Sequence, residues 1–175
     1  MLKRTYPEQV CSIARALEAV GERWSLLIVR DLMIGFHRFD ELTERLAISS
    51  NVLATRLDRL AELGIVTRRA YSKRPRRYEY YLTSKGYDLW PVLHGLGMWG
   101  DRYLSGQKPP VGLNHRDCGG AITPQRMCDR CGAEVDGQEV VFTPAVRARR
   151  GRTLGASTWR GSAVRVREGA SFHRC

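Results

Sequence analysis

No stretch of this 175-residue chain approaches the roughly 18 consecutive apolar residues of a membrane-spanning helix. The nearest, residues 89–104, is interrupted by Pro91, His94, Asp101 and Arg102. Met1-Leu2-Lys3-Arg4 does not lead into the apolar run of a secretion signal either. These absences predict a soluble protein of the cytoplasm, associated with the nucleoid if it binds DNA, and no membrane partner. A disulfide framework is equally unprovided for. The cysteines number five, an odd count, and two of them form a Cys-x2-Cys pair, which suits metal and thiol chemistry in a reducing compartment. There is no glycine-rich phosphate loop, no Ser-His-acid set, no convincing pair of acids and no internal repeat. An enzyme is therefore not expected.

Acidic residues are also scarce beside basic ones, 18 against 29, which leaves a formal net charge of +11. Such a balance favours a polyanionic partner, but where the charge sits matters more than its total. From Arg147 onward eight basic residues face one acid, a net of +7, so residues 1–146 hold 21 against 17, a net of +4. Six of those 21 fall within residues 68–77: Arg68, Arg69, Lys73, Arg74, Arg76 and Arg77, with no acid among them. Without these six the body stands at −2. The positive charge belongs to one short segment and one tail.

Apolar residues recur at helical spacing at Val10, Ile13, Ala14, Leu17 and Val20, up to Gly21. Trp24, Leu27, Ile28 and Leu32 predict a second helix stopped by Gly35, and Phe39, Leu42 and Leu46 a short third. After a break at Ala47-Ile48-Ser49, Ser49 or Ser50 can cap a fourth helix with Leu53, Leu57, Leu60 and Leu63 on one stripe and Gly64 as its stop. Residues 66–71 and 78–82 read as strands around a loop containing Pro75. Thr83 then caps a helix that Pro91 kinks or restarts before it runs to about Leu104. Two helices, a sharp turn and a cationic hairpin are the parts of a winged helix-turn-helix, a mainly α fold with a small β-hairpin (α+β) that grips double-stranded DNA.

On the fourth helix Ser50, Asn51, Thr55, Arg56 and Arg59 lie opposite the leucine stripe. Short polar side chains reach base edges or phosphates, and arginine forks onto guanine or phosphate. Lys73, Arg74, Arg76 and Arg77 at the hairpin tip are placed to follow the backbone or enter a minor groove. A solvated basic hairpin on a small α+β domain is the plainer reading of the charge run alone.

Several segments together resemble the HxlR-type bacterial transcriptional regulators. They are residues 11–17 (CSIARAL), 21–28 (GERWSLLI), 38–42 (RFDEL), 48–53 (ISSNVL), Arg56-Leu57, 63–66 (LGIV), 79–83 (EYYLT), Lys85-Gly86 and 91–93 (PVL). The resemblance covers roughly residues 11–100. It implies a winged-helix homodimer related to the MarR-like regulators, paired through its first and last helices. It also implies an inverted-repeat operator, with repression the more expected outcome. The family pattern has proline after the first cysteine, where this chain has Ser12. Trp24, Trp90 and Trp99 are expected in the core or at the dimer contact, although a small-molecule effector pocket against the dimer helices is the other use for them.

His115-x2-Cys118 and Cys128-x2-Cys131, separated by nine residues, form two ligand pairs, each followed by a glycine, Gly119 and Gly132. A closed set of four N/S donors favours tetrahedral zinc in a structural role. A module this small also gains its stability from the metal more than from a core. Unligated thiols are the alternative, and His173 and Cys175 are weaker ligand candidates at the chain end. Family members with such an extension look similar. Cys11 stands apart. In the resembled family a cysteine here can sense oxidants or electrophiles, with Arg15 one turn on to favour the thiolate. A small half-buried residue at the dimer contact is the competing role.

The expected organisation is therefore a DNA-binding and dimerisation domain over 1–105, a linker over 106–111, a zinc-ribbon-like module over 112–143 and a basic, disordered tail over 144–175. The rival function is a zinc-dependent protein-interaction module with nonspecific affinity for nucleic acid.

Overall fold

Helices, hairpin and module follow one another without crossover in the computed structural model, which describes residues 11–74, 76–104 and 111–144. Six helices, α1 (Ser12–Val20), α2 (Ser25–Ile34), α3 (Phe39–Leu46), α4 (Ser50–Glu62), α5 (Ser84–Tyr87) and α6 (Trp90–Tyr103), accompany two antiparallel hairpins. One pairs β1 (Val66–Lys73) with β2 (Arg76–Leu82); the other pairs β3 (Val111–His115) with β4 (Val140–Pro144). Val10, Pro75, residues 106–110 of the expected 106–111 linker and residues 145–175 of the expected 144–175 tail, with His173 and Cys175, lie outside the described residues, whereas Val111 and Pro144 belong to the second hairpin.

The leucine stripe behaves as its spacing predicts. Leu53, Leu57 and Leu60 are 0–1% exposed and pack with Ile28, Val29, Leu32 and Leu42 from α2 and α3. Each such side chain contributes roughly 1.5–3 kcal/mol by leaving water. Of the two candidate caps, Ser49 serves α4, its Oγ accepting from the Val52 amide. Gly64 adopts a positive φ of 67° immediately beyond the C-cap Leu63. Pro91 restarts the helix: α5 ends at Tyr87, and α6 opens with proline in its first turn, where a missing N–H costs no hydrogen bond.

The wing is longer than its residue types suggest. Pairing continues through Ser72↔Arg77 and Lys73↔Arg76, past a register shift between Ala70 and Ser72. The segment assigned to a loop is thus mostly strand, because the bulge lets the backbone ladder resume where β-branched residues have run out. A short bridge of Arg38 with Glu79 adds a third line of pairing, and the Tyr80 amide donates to His37 O at 2.8 Å.

Under α3, the fully buried Asp31 carboxylate accepts from Arg30 Nε at 2.8 Å and faces Arg45 Nε at 3.5 Å, which ties α2 to the helix above it. The turn after α3 carries strain: Ala47 sits at φ 50°, ψ 44°, a left-handed conformation disfavoured for any residue with a Cβ. Because Ala47 is exposed, nothing else opposes its replacement. Ala47→Gly is expected to stabilise the chain by about 0.5–1 kcal/mol, a rise of a few degrees in Tm by calorimetry or circular dichroism. An unchanged or lower Tm would show that the turn is not strained.

Candidate nucleic-acid interface and metal cluster

Because the leucine stripe faces inward, α4 presents Ser50, Asn51, Thr55 and Arg59 to solvent. Thr55 Oγ1 donates to Asn51 O at 2.9 Å, and Arg59 pairs with Glu62 at 3.2 Å. Arg56 is placed differently from its expected position among the base-reading residues. It forms an ion pair with Glu22 in the α1–α2 loop, its side chain is 19% exposed, and its Nε is buried without a hydrogen-bond partner. The structure makes it a brace between α4 and the loop after α1. Spacing alone could not reveal this, since the partner lies 34 positions earlier in the chain.

Arg74, Arg76 and Arg77 are exposed on the wing, and Lys73 pairs by its backbone with Arg76. The strand arginines are held extended by aromatic neighbours: Arg68 and Arg76 lie over Tyr78 at 5.2 and 5.5 Å, and Arg69 over Tyr81 at 5.0 Å. A polar cluster that was not anticipated fixes the wing to the start of α3. Tyr81 Oη donates to Glu79 Oε2 at 2.8 Å, Arg38 Nε donates to Oε1 at 3.2 Å, and His37 stacks on Tyr81 at 4.4 Å. The tyrosine hydrogen bond first, and then Arg38 against a cost of burial, hold the Glu79 carboxyl below its usual range. That contribution is present at neutral pH and fades as pH falls through the carboxyl's folded value.

Two turns bring the four expected metal-binding donors together. His115 Nδ1 lies 3.4 Å from Cys118 Sγ and 3.3 Å from Cys131 Sγ, and Cys118 Sγ lies 3.3 Å from Cys128 Sγ. All four ligand atoms fall within 4.8 Å of one another. His115 and Cys128 are buried, Cys118 is half-buried and Cys131 is exposed. Gly119 and Gly132 adopt φ of 67° and 73°, the sharp turn that lets following amides point back at sulfur. The Cys131 amide first, then that of Arg130, draw the Cys128 thiol down to about 6. At Cys118 the Gly120 amide favours the thiolate, yet the facing Cys128 and Cys131 together with burial outweigh it and raise the pKa. A Cβ on Gly120 would collide with Cys128 Sγ, so the thiol cluster closes directly over this backbone.

The unit that carries these four side chains packs on α6. Trp90, 2% exposed, donates from Nε1 to Val135 O at 3.2 Å and meets Phe142 edge-on at 6.4 Å. His94 sits 5.0 Å from the Trp90 ring, and burial, with Arg126 nearby, lowers its pKa. Of the other tryptophans, Trp24 is half-buried against the core and Trp99 stands 53% exposed on α6. Cys11 is the exposed N-cap of α1, and the Ala14 and Ile13 amides, rather than the Arg15 side chain, lower its pKa.

The sequence model of the HxlR-like helix-turn-helix family matches residues 19–108. The chain belongs to that family. Its curated relatives include the uncharacterised HTH-type transcriptional regulator MT3179 of Mycobacterium tuberculosis, 43% identical over 134 residues that cover 76% of this chain and 85% of MT3179. The HTH-type transcriptional regulator YodB of Bacillus subtilis is 38% identical over 89 residues, 50% of this chain and 80% of YodB. YodB has been solved both reduced and after diamide treatment, with TM-scores of 0.48 and 0.45. Among solved structures, that of PA1607, a proposed transcription factor, matches with a TM-score of 0.60 at 32% identity, over 80% of this chain and 96% of the other. This HxlR-like protein is a DNA-binding transcriptional regulator with a winged helix-turn-helix fold. Among the described residues no helix is long and apolar enough to cross a membrane.

If Arg56 braces α4, removing either end of its ion pair should do the same damage. Glu22→Gln and Arg56→Met are each expected to weaken DNA binding about tenfold without altering base preference, and the double variant to be little worse than either. Additive losses, or relaxed preference at one base pair in Arg56→Met alone, would return Arg56 to the reading surface.

Proposed function

We propose that this regulator is a homodimeric repressor acting in the cytoplasm on an inverted-repeat operator, with α4 in the major groove and the wing along the backbone. The observation that carries the dimer is an apolar face with no partner among the described residues. Ile13 and Leu17 on α1 are 71% and 48% exposed, and Val92, Leu96, Trp99 and Tyr103 on α6 are 50–60% exposed at helical spacing. A second copy covering both helices would remove this surface from water, and exposed apolar faces of this kind mark interaction sites. Two-fold symmetry in the protein then calls for two-fold symmetry in the operator.

Cys11 is the N-cap of α1, the helix that carries Ile13 and Leu17. An exposed thiol whose anion is favoured by two free helix amides is suited to attack by oxidants or electrophiles. The relative YodB has itself been solved after diamide treatment. Modification at Cys11 would add bulk or charge beside the dimer contact and release the operator. The expected observation is a discrete gel-shift complex with DNA from upstream of the gene, lost on diamide treatment of the wild type and retained by Cys11→Ser. Arg76→Ala and Arg77→Ala should weaken that complex evenly across sequences and each flatten the salt slope by roughly one unit. Release of Cys11→Ser by diamide at the wild-type dose would refute the sensor, and binding by a stable monomer would refute the dimer.

We assign a structural zinc ion to His115, Cys118, Cys128 and Cys131. Zinc bonds of about 2.3 Å to sulfur and about 2.0–2.1 Å to nitrogen place tetrahedral sulfurs about 3.8 Å apart and sulfur about 3.5–3.6 Å from nitrogen. The observed separations of 3.3–3.4 Å are a few tenths of an ångström tighter, and all four donor atoms fall within 4.8 Å of one another, so a small outward shift of the side chains would admit the ion. Four protein donors leave no position for water, so the ion would hold the module's two turns together. The reading as a protein-interaction module has less in its favour, since its apolar side is already covered by Tyr87 and Trp90. Freshly purified, chelator-free protein should carry about one equivalent of zinc, and stripping it should lower Tm. Less than about half an equivalent, with Tm insensitive to chelator, would remove the site.

A further inference from the structure

Val52 stands 36% exposed in the first turn of α4, on a helix whose other large apolar residues, Leu53, Leu57 and Leu60, are almost wholly buried. The dimer face does not account for it, because that face belongs to α1 and α6. One turn further on, Thr55 is exposed too, and its hydroxyl proton is committed to Asn51 O at 2.9 Å. A threonine back-bonded in this way offers a neighbouring group chiefly its methyl and an oxygen lone pair. Residues 52 and 55 adjoin on a helix surface. Two apolar groups are thereby grouped at the N-terminal end of the helix, the part of a recognition helix that meets base edges.

We propose that Val52, with the Thr55 methyl beside it, selects thymine in the operator half-site by packing on the C5-methyl group. In the major groove that methyl is what distinguishes thymine from every other base, and an apolar side chain can read it without a hydrogen bond. The withdrawal of Arg56 sharpens the assignment. With its guanidinium held by Glu22, Arg56 offers no free fork for guanine, and the exposed Arg59 lies a turn beyond Thr55, towards the C-terminal end of the helix. Readout from the first two turns is left to Ser50, Asn51, Val52 and Thr55, a set matched to A·T pairs more than to G·C. The Ser49 cap accepts from the Val52 amide itself and sets the orientation of this turn.

The proposal rests on α4 being the recognition helix, and one experiment separates the two. Operators are selected from random-sequence duplexes with the full-length, metal-loaded chain. Each thymine of the enriched site is then replaced singly by deoxyuridine, which removes the methyl and nothing else. One thymine per half-site is expected to cost the wild type about fourfold in affinity, the worth of one buried methyl group. In Val52→Ala the same replacement should cost less than twofold, while losses at other positions stay as they were. An enriched operator with no methyl-sensitive thymine, or an undiminished penalty in Val52→Ala, overturns the role of Val52 and leaves the recognition helix standing. Failure to enrich any sequence overturns both.

Discussion

The inward pull of Leu53, Leu57 and Leu60 determines most of what this protein presents to its surroundings. A helix of thirteen residues with one buried stripe has no freedom to rotate, so its opposite face is set by the same leucines that stabilise it. The Glu22–Arg56 ion pair then fixes that helix to the loop after α1, which leads from the apolar face read as the dimer contact. That apolar face and the exposed side of α4 are thereby joined through one charged contact.

Trp90 has the corresponding role at the other end of the molecule. It fills the space between α6 and the unit that carries the His/Cys cluster, and its indole nitrogen satisfies a buried carbonyl of that unit. Gly137 is small because a Cβ there would press on Tyr87 O and on Trp90 Cβ, at 2.9 and 3.0 Å. The cluster of His115, Cys118, Cys128 and Cys131 therefore lies on a unit packed against the helix that carries Leu96 and Trp99. Whatever loosens the cluster has a short mechanical path to the apolar face of α6.

Much of this was legible from residue types. Helical spacing placed α1 to α4, the Ser49 cap was one of two candidates, and Pro91 marked the restart that opens α6. The grouping of His115, Cys118, Cys128 and Cys131 follows from two short pairs, because such pairs on tight turns keep a fixed spacing with glycine following. The wing was underestimated in length, since a bulge at Tyr71 restores pairing that local composition does not announce. The cluster of Arg38, Glu79 and Tyr81 was missed altogether. Its members are exposed or half-buried polar residues of ordinary type, and only folding brings them within hydrogen-bonding distance.

What the sequence determined by itself is the set of elements and the chemical character of each face: local periodicity, caps and ligand pairs need only neighbours a few residues away. The tertiary structure decided which polar residues remain free. Arg56 and Arg59 look alike in the sequence, yet one is folded against Glu22 and the other reaches solvent beside Glu62. Ion pairing between distant segments depends on where packing puts them, and no spacing rule carries that information. The same holds for Val52, whose exposure on α4 follows from the three leucines that turned the helix.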